Sequence, residues 1–445
     1  MSEPGDADGW APLDPDLSGG RPAEPHPQEP HPQQGPQQDP QPYGTQPYGT
    51  QPYGAPPEQA QQPYAAGMPY WPGSPAQPPG WDREYGAAPY GQAYPGYGAQ
   101  PVKTPWTVAA PAGSPFHRLA RTGRHRWWRP LVGTLTIAGI GLSLTVGLML
   151  IGMIIRVVVT GELSETTGTD PNTIFGDDTA DLAFNLAALA VFLPVALFAA
   201  WGIQRRRPGT LSSVAGRLRW KWMLACCGLA ILFCIVAYGT SFLAALSLDD
   251  QSGGDEHWVG WDKFLVPAVV IILLVPFQAA AEEYVFRGWV LQAVGACTLE
   301  NARGRIGQAF SVVFRTPWPG IVVGSALFTA GHGYTGWGIL DIFVFGAVAA
   351  WVAVRTGGLE ASIALHVFNN LLAFLGSAAI GQLDIEQGGV PWQVVVADIV
   401  PMVLFAAAAV WLARRMRVQT VTSDDPGDPG DDVPVTADSH PAHAS

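Results

Sequence analysis

The fold is decided by residues 264–294, which read FLVPAVVIILLVPFQAAAEEYVFRGWVLQAV. The first half of this stretch is uncharged and apolar, and about 20 such residues suffice to cross the hydrocarbon core of a bilayer. The second half contains Glu282, Glu283 and Arg287. Charged side chains cost on the order of 2.5–3.5 kcal/mol each inside lipid, and they therefore indicate a functional position. The stretch predicts a membrane-spanning helix that carries part of a site.

The composition of the whole chain also favours a membrane protein. Of the 445 residues, 48% are hydrophobic and 13% are charged, against about 25% charged in a typical soluble domain. The net charge of −12 comes from the two ends, because residues 1–100 and 423–445 are strongly acidic. This acidity belongs to the tails and does not indicate a basic partner. We expect the bilayer as a partner, and no nucleic acid.

Eight apolar stretches of membrane-spanning type are present, and the fifth and sixth are short. They are residues 130–157, 182–203, 222–246, 264–294, 320–334, 339–354, 359–380 and 392–412. The loops between them alternate between basic and acidic along the chain. Under the positive-inside rule, this alternation predicts an even number of spans with both termini in the cytoplasm. We predict an all-α, polytopic transmembrane bundle of about eight helices in the cell membrane.

Composition divides the chain into four regions. Residues 1–115 are rich in Pro, Gln, Tyr and Gly, and should form a disordered cytoplasmic tail because they bury too little apolar surface to fold. This tail is interpreted either as a docking arm or as a solvated segment. Residues 116–219 contain a basic segment and the first two spans, and residues 220–418 form the domain with the candidate site. Residues 419–445 are a second, acidic disordered tail.

Helical spacing predicts different roles for the two adjacent carboxylates of the fourth span. Glu283 and Arg287 are four residues apart on one face, where they can form an ion pair. Glu282 points about 100° away from Glu283, toward the side of the helix that carries Gln278. Arg287 would therefore hold Glu283, while Glu282 would be free to face a hydrated cavity as a base.

Polar residues in two other spans are expected at a similar depth. At about 1.5 Å per residue, His366 lies roughly 10–12 Å from the cytoplasmic end of its span. The corresponding depths are roughly 10–18 Å for Glu282 and 14–18 Å for His332. Asn370 shares a helical face with His366. The sequence therefore predicts one buried site that consists of Glu282, Glu283, Arg287, His332, His366 and Asn370.

Three other polar residues in the spans are interpreted as structural. Asp341 and Asp398 have no evident partner, and we assign them to structural or water-facing positions. Asn185, in the second span, is interpreted as a hydrogen bond between helices.

The motifs Glu-Glu-x-x-x-Arg, Phe-x-x-x-His and His-x-x-x-Asn, in this order on separate helices, closely resemble those of the CPBP family. That family includes CAAX prenyl endopeptidases, lysostaphin-resistance-protein-A-like proteins and the Abi proteins linked to bacteriocin self-immunity. The resemblance covers about residues 220–415, and it implies a helical bundle with an internal cavity. It also implies an intramembrane endopeptidase that acts on a membrane-associated protein or peptide. By similarity, three pairs of residues would activate water, stabilise the oxyanion and support the site: Glu282 with His332, His366 with Asn370, and Glu283 with Arg287.

The motifs leave the cofactor and the activity open. One glutamate and two histidines could bind zinc in a three-ligand site, but the chain has no His-Glu-x-x-His helix, and the same residues suffice for metal-free catalysis. No cofactor is therefore assigned, and zinc stays an alternative. Two other functions also stay open. One is a non-catalytic immunity or scaffold protein of the same family, and the other is a proton-coupled transporter, although the halves show no internal repeat.

Overall fold

The computed structural model describes residues 105–161, 174–248, 257–300, 302–383 and 388–423. Most of the two predicted disordered tails lies outside these residues. The described parts of the tails, residues 105–115 and 419–423, contact the helical body. The Val108 amide donates to the Arg205 carbonyl at 3.0 Å, and Nη1 of Arg219 donates to the Gln419 carbonyl at 2.6 Å. The folded body thus begins before residue 115 and continues past residue 419.

The described residues are mainly helical, which confirms the predicted all-α class. The helices are α1 (Trp128–Thr160), α2 (Asp178–Ala190), α3 (Phe192–Gly202), α4 (Trp220–Ser247), α5 (Trp261–Glu283), α6 (Leu291–Gly295), α7 (Arg305–Phe314), α8 (Trp318–Ala330), α9 (Trp337–Thr356), α10 (Glu360–Ala379) and α11 (Trp392–Arg415). The strands in the described part of the chain are two residues long. They are β1 (Thr335–Gly336) and β2 (Gly389–Val390), which pair in parallel.

Seven segments of the described chain are long and apolar enough to cross a membrane. The second of these runs through α2 and α3, which meet at Val191. Pro194 explains this break, because proline has no amide to donate to the Ala190 carbonyl and its ring clashes with that carbonyl. The prediction of a polytopic helical bundle is therefore confirmed, with one of its spans broken.

The fifth of the eight predicted apolar stretches corresponds to α8, which has 13 residues and is therefore only about 20 Å long. Its helix ends at Ala330, and the chain continues without helix to Gly336. Non-helical backbone at membrane depth is tolerated where it lines a cavity or is buried in protein. Here β1 is paired with β2. The early end of α8 leaves His332 outside a regular helix.

The predicted fourth span is built from three pieces rather than from one regular helix. After α5, residues Tyr284–Val290 form a π-helical segment, and α6 follows. The Tyr284 hydroxyl is 2.6 Å from the Ser212 hydroxyl, next to the 3₁₀ turn Pro208–Leu211. Single π turns inside α-helices occur frequently at functional sites. In this chain the π segment follows directly after Glu283.

One helix was missed by the sequence analysis. Helix α7 was predicted to be part of a basic loop, but residues Arg305–Phe314 are helical. Ile306 and Phe310 are exposed on it. The signal was weak because ten amphipathic residues are too few to span a bilayer.

Helix α10 is the centre of the bundle. It packs against α4, α5 and α9, and its first seven residues, Glu360–His366, are all buried. At its start, the Arg219 guanidinium donates to Glu360 from Nε at 2.8 Å and from Nη2 at 2.6 Å. The Glu360 side chain is 0% exposed. This two-pronged ion pair joins the beginnings of α4 and α10.

We expect Glu360→Gln to lower the free energy of unfolding by about 3–5 kcal/mol, because it leaves the Arg219 cation largely buried without its carboxylate. The exposed pair of Arg121 with Glu300 offers a matched control. Glu300→Gln should cost no more than about 1 kcal/mol. Thermal unfolding of both variants in detergent measures the difference, and equal losses would contradict the structural role of Glu360.

The basic segment before α1 is docked on the bundle outside the membrane-spanning helices. Its 3₁₀ turn, Phe116–Arg118, has buried Phe116 and His117 side chains, and a Cβ on Gly295 would lie 2.0 Å from the His117 carbonyl oxygen. Only glycine therefore fits this contact. Burial, with a smaller contribution from the positive charge of Arg118, lowers the pKa of His117 from 6.5 to about 4.

This lowered pKa predicts acid sensitivity of folding. As the pH falls, the unfolded chain protonates His117 first, so stability is complete above pH 6.5 and is lost progressively down to about pH 4. The loss should be about 2 kcal/mol at pH 5. His117→Gln should flatten this dependence in thermal unfolding between pH 7 and pH 5. An unchanged pH slope in the variant would show that His117 is not the group responsible.

Candidate active site in the cavity of the bundle

A cavity of about 1240 Å³ lies inside the helical bundle. It is larger than most small-molecule pockets, which enclose about 300–1,000 Å³, and a peptide segment fits such a space. Four of the six predicted site residues line it: Glu282, His332, His366 and Asn370. The other two, Glu283 and Arg287, are buried but do not line it. The structure therefore brings residues from α5, α10 and the segment after α8 to one space.

The buried Glu283 carboxylate contacts one basic side chain from the π segment and one from α10. Its Oε1 atom is 2.9 Å from Nη1 of Arg287 and 2.8 Å from Nδ1 of His366. The side chains of Glu283, Arg287 and His366 are 0%, 2% and 3% exposed. The ion pair predicted from the four-residue spacing is thus present. Because a carboxylate only accepts hydrogen bonds, Nδ1 of His366 carries a proton and Nε2 faces the other way.

Phe328, in the last turn of α8, packs against three of the site residues. The Arg287 guanidinium carbon is 4.2 Å from the centre of its ring, which is within cation–π range. The His332 and His366 ring centres are 4.5 Å and 5.9 Å away. Phe328 is 1% exposed. One buried aromatic ring therefore sets the positions of both histidines and of the arginine.

Glu282 lines the cavity, and one of its two carboxylate oxygens is buried without a hydrogen bond to a described residue. Its Oε1 atom accepts a hydrogen bond of 2.6 Å from Nε2 of Gln278, as the helical geometry predicted. Its Oε2 atom makes no hydrogen bond to any described residue and lies 3.5 Å from Nε2 of His366. A carboxylate oxygen in this situation is suited to accept a proton from a bound water.

Gln278 and Asn369 extend the predicted constellation. Nδ2 of Asn370 donates to Oε1 of Gln278 at 3.1 Å, so that Gln278 links Asn370 to Glu282. Asn369 lines the same cavity. Gln278 was predicted on the helical face of Glu282 but not as a member of the site. The signal for Gln278 was its spacing of four residues from Glu282, whereas Asn369 had no signal beyond its place next to Asn370.

His332 lies in the non-helical segment after α8. Its Nδ1 atom is 2.8 Å from the Phe328 carbonyl oxygen. A carbonyl only accepts hydrogen bonds, so we assign the proton to Nδ1, and Nε2 then carries the lone pair. His332 is half-buried and lines the cavity. The end of α8 thereby orients an imidazole that can accept or return a proton.

Three residues interpreted as structural also line the cavity. Asp341 and Asp398, for which no partner was evident, have each other as a hydrogen-bonding partner. This pairing was missed because the two residues lie on different helices, α9 and α11. Asn185 is exposed to the cavity, and no hydrogen bond joins it to another described residue, so its interpretation as a bond between helices was wrong.

The zinc alternative requires a set of metal ligands among the described residues. A three-ligand zinc site requires Asp, Glu, His or Cys donors that converge on one point. Among the described residues, no group of three or more such side chains is arranged to hold a metal ion. The zinc alternative therefore finds no ligand set in the described part of the chain.

Part of the chain is similar to a known protein family. Residues 264–372 match the family model described as type II CAAX prenyl endopeptidase Rce1-like. All six predicted site residues lie inside the matched segment, and the resemblance predicted from the motifs is confirmed there. The family is one of proteases, and the seven long apolar helices among the described residues fit a multi-pass membrane protein.

A relative was found among curated proteins. The chain is 25% identical over 274 residues to the uncharacterized protein YyaK of Bacillus subtilis (strain 168). The alignment covers 57% of this chain and 84% of YyaK. No solved structure matches the chain.

The site geometry predicts unequal effects on stability for the two adjacent glutamates. Glu283→Gln should lower the free energy of unfolding by about 3–5 kcal/mol, because it leaves the Arg287 cation buried without a counter-charge. Glu282→Gln should cost at most about 1 kcal/mol, because a glutamine oxygen can still accept the hydrogen bond from Gln278. Thermal unfolding of both variants in detergent is the measurement. A larger loss for Glu282→Gln would contradict the assigned contacts.

Proposed function

We propose that this chain is an intramembrane endopeptidase, which hydrolyses a peptide bond of a membrane-associated protein with a water activated by Glu282 and His332. The observation that supports the proposal is that Glu282, His332, His366 and Asn370 line one cavity. Within it, Oε2 of Glu282 has no hydrogen bond to a described residue and lies beside His366. Peptide hydrolysis needs a base for the water and donors for the developing oxyanion. Both kinds of group line this cavity.

Glu282 is the proposed general base. Gln278 binds its Oε1 atom, so that Oε2 is directed to the space where a water can bind. The carboxylate accepts a proton as the water oxygen attacks the carbonyl carbon of the scissile bond. The same proton then passes to the leaving nitrogen as the carbon–nitrogen bond breaks. Water adds across the bond, and Glu282 returns to its starting state.

His332 is the second proposed group for proton transfer. Its Nδ1–H is held by the Phe328 carbonyl, which leaves Nε2 to accept a hydrogen bond from the attacking water. Two acceptors on one water fix the direction of its attacking lone pair, and such orientation lowers the barrier.

His366 and Asn370 are the proposed donors for the oxyanion. In this role the His366 imidazole carries a proton on both nitrogens: Nδ1–H donates to the Glu283 carboxylate, and Nε2–H donates to the negative oxygen. Asn370 has two amide protons and uses one of them for Gln278, so the other is available. Removal of one such donor typically costs about 100- to 1000-fold in rate.

Glu283 and Arg287 are proposed to act through other residues and not on the substrate. Neither lines the cavity. Glu283 sets the orientation of His366, and Arg287 stabilises Glu283 while it packs on Phe328. They are positioning residues.

The same proposal includes a location. The alternation of basic and acidic loops supports an orientation with both termini in the cytoplasm. We place the chain in the cell membrane, with a membrane-associated protein or peptide as substrate. A cavity inside a bundle with several membrane-spanning helices suits a substrate that is itself held in or at the bilayer.

The decisive experiment compares the termini of membrane proteins in cells with the wild-type chain and with Glu282→Gln. New termini should be present only in the wild type, because loss of a general base costs about 100- to 10,000-fold in rate. The surface variant Glu300→Gln is the control and should behave as wild type. Expression and thermal unfolding show that each variant is folded. If the termini of wild type and Glu282→Gln do not differ, the proteolytic function is wrong.

A further inference from the structure

A second pair of carboxyl groups lies in the cavity outside the proposed hydrolytic machinery. Asp341 belongs to the first turns of α9, and Asp398 to the first half of α11. Both line the cavity that contains Glu282 and His332. Their side chains are in hydrogen-bonding contact with each other. None of the roles assigned above uses either residue.

Asp341 is nine-tenths buried and yet incompletely bonded. It is 9% exposed, and its Oδ1 atom makes no hydrogen bond to a described residue. An unsatisfied polar atom in a buried position costs about 1–3 kcal/mol. Such a cost is removed when a ligand in the cavity donates to that atom. The pair is therefore incomplete by itself.

The cavity is acidic. Its described lining contains three carboxyl groups, Glu282, Asp341 and Asp398, and neither lysine nor arginine. Arg287 is close in space but is paired with Glu283 and does not line the cavity. Two carboxylates in contact repel each other unless a proton or another positive charge lies between them. A cation that enters the cavity is thus attracted to the aspartate pair.

Tyr334 connects the aspartate pair to the proposed hydrolytic centre. Its ring is stacked near His332, with 6.3 Å between the ring centres, and it interacts electrostatically with both aspartates. An aromatic face beside carboxylates is a favourable surface for an ammonium or guanidinium group. Tyr334 therefore lies between the aspartate pair and His332. At this separation, one side chain of a bound peptide can contact the aspartates while a nearby peptide bond lies at His332.

We propose that Asp341, Asp398 and the Tyr334 ring form a specificity subsite that binds a lysine or arginine side chain of the peptide substrate. The subsite rests on the proposed proteolytic function, which supplies the peptide. The basic side chain donates to Oδ1 of Asp341, and its positive charge takes the place of the proton that the two hydrogen-bonded carboxyl groups share. Cleavage then takes place at a fixed short distance from a basic residue. The two aspartates bind and take no part in the chemistry.

Binding is tested first without catalysis, in the full chain carrying Glu282→Gln. The probe is dodecylguanidinium, with dodecanol as the uncharged analogue and Mg²⁺ as the alternative cation, and the readout is thermal stabilisation in detergent. We expect dodecylguanidinium to bind on the order of 30-fold more tightly than dodecanol. The preference should vanish in Asp341→Asn and in Asp398→Asn. It should persist in Asp262→Asn, an exposed carboxylate that does not line the cavity.

Each outcome of the binding test decides the point. Equal binding of the charged and uncharged probes overturns the subsite, as does a preference that survives in both aspartate variants. Stabilisation by Mg²⁺ alone also overturns it, because the pair would then be a metal site. The two single variants are isosteric with the native residues, so one folded variant is enough for the comparison.

Cleavage separates the subsite from the proposed function. The wild-type chain in lipid nanodiscs is given a mixture of membrane-segment peptides, and the cut sites are read by mass spectrometry. A basic residue should recur at one position relative to the cut, and Asp341→Asn should lose this preference while still cutting neutral peptides. Cleavage without a basic preference overturns the subsite and leaves the protease intact. If the wild-type chain cuts none of the peptides but the guanidinium probe is still preferred, the proteolytic function is wrong and the subsite is retained.

Discussion

The site depends on a carboxylate, Glu283, that has no access to water. An isolated charge in such a place is costly, and it persists only because Arg287 and His366 both lie against the same oxygen. Arg287 comes from the π segment that follows α5, and His366 comes from α10. The contact therefore joins two helices at one point, and it fixes which nitrogen of His366 faces the cavity.

Irregular backbone places the remaining groups around that point. Helix α8 ends early, so His332 lies on a non-helical segment whose position is set by the Phe328 carbonyl and by the pairing of β1 with β2. The π turn after Glu283 carries the guanidinium of Arg287 over the Phe328 ring. A bundle of regular helices alone would present these groups on faces set by a 3.6-residue period. The early end of α8 and the π turn after Glu283 depart from this period and bring His332 and Arg287 together at Phe328.

The sequence predicted the parts of this arrangement that depend on short spacings. The apolar runs gave the spans, and the four-residue spacings gave the Glu283–Arg287 pair and the contact of Gln278 with Glu282. The pairing of Asp341 with Asp398 could not be predicted, because it depends on how α9 packs against α11. Helix α7 was missed because it is short and amphipathic, and the break at Val191 was missed although Pro194 is its physical cause. A constant helix rise assigned similar depths to His332 and His366, and both rings do pack against Phe328, although His332 lies beyond the end of α8.

The contact between the two ends of the folded body has a consequence for biosynthesis. Ser114 and Thr422 are 308 positions apart, and the Ser114 amide donates to the Thr422 hydroxyl at 2.9 Å. Gly113 and Thr422 are joined by a further backbone bond. During translation, Gly113 and Ser114 cannot form these bonds until the residues that follow α11 have left the ribosome. The contact between residues 113–114 and Thr422 therefore forms late in assembly, and a chain that stops before residue 419 cannot form it.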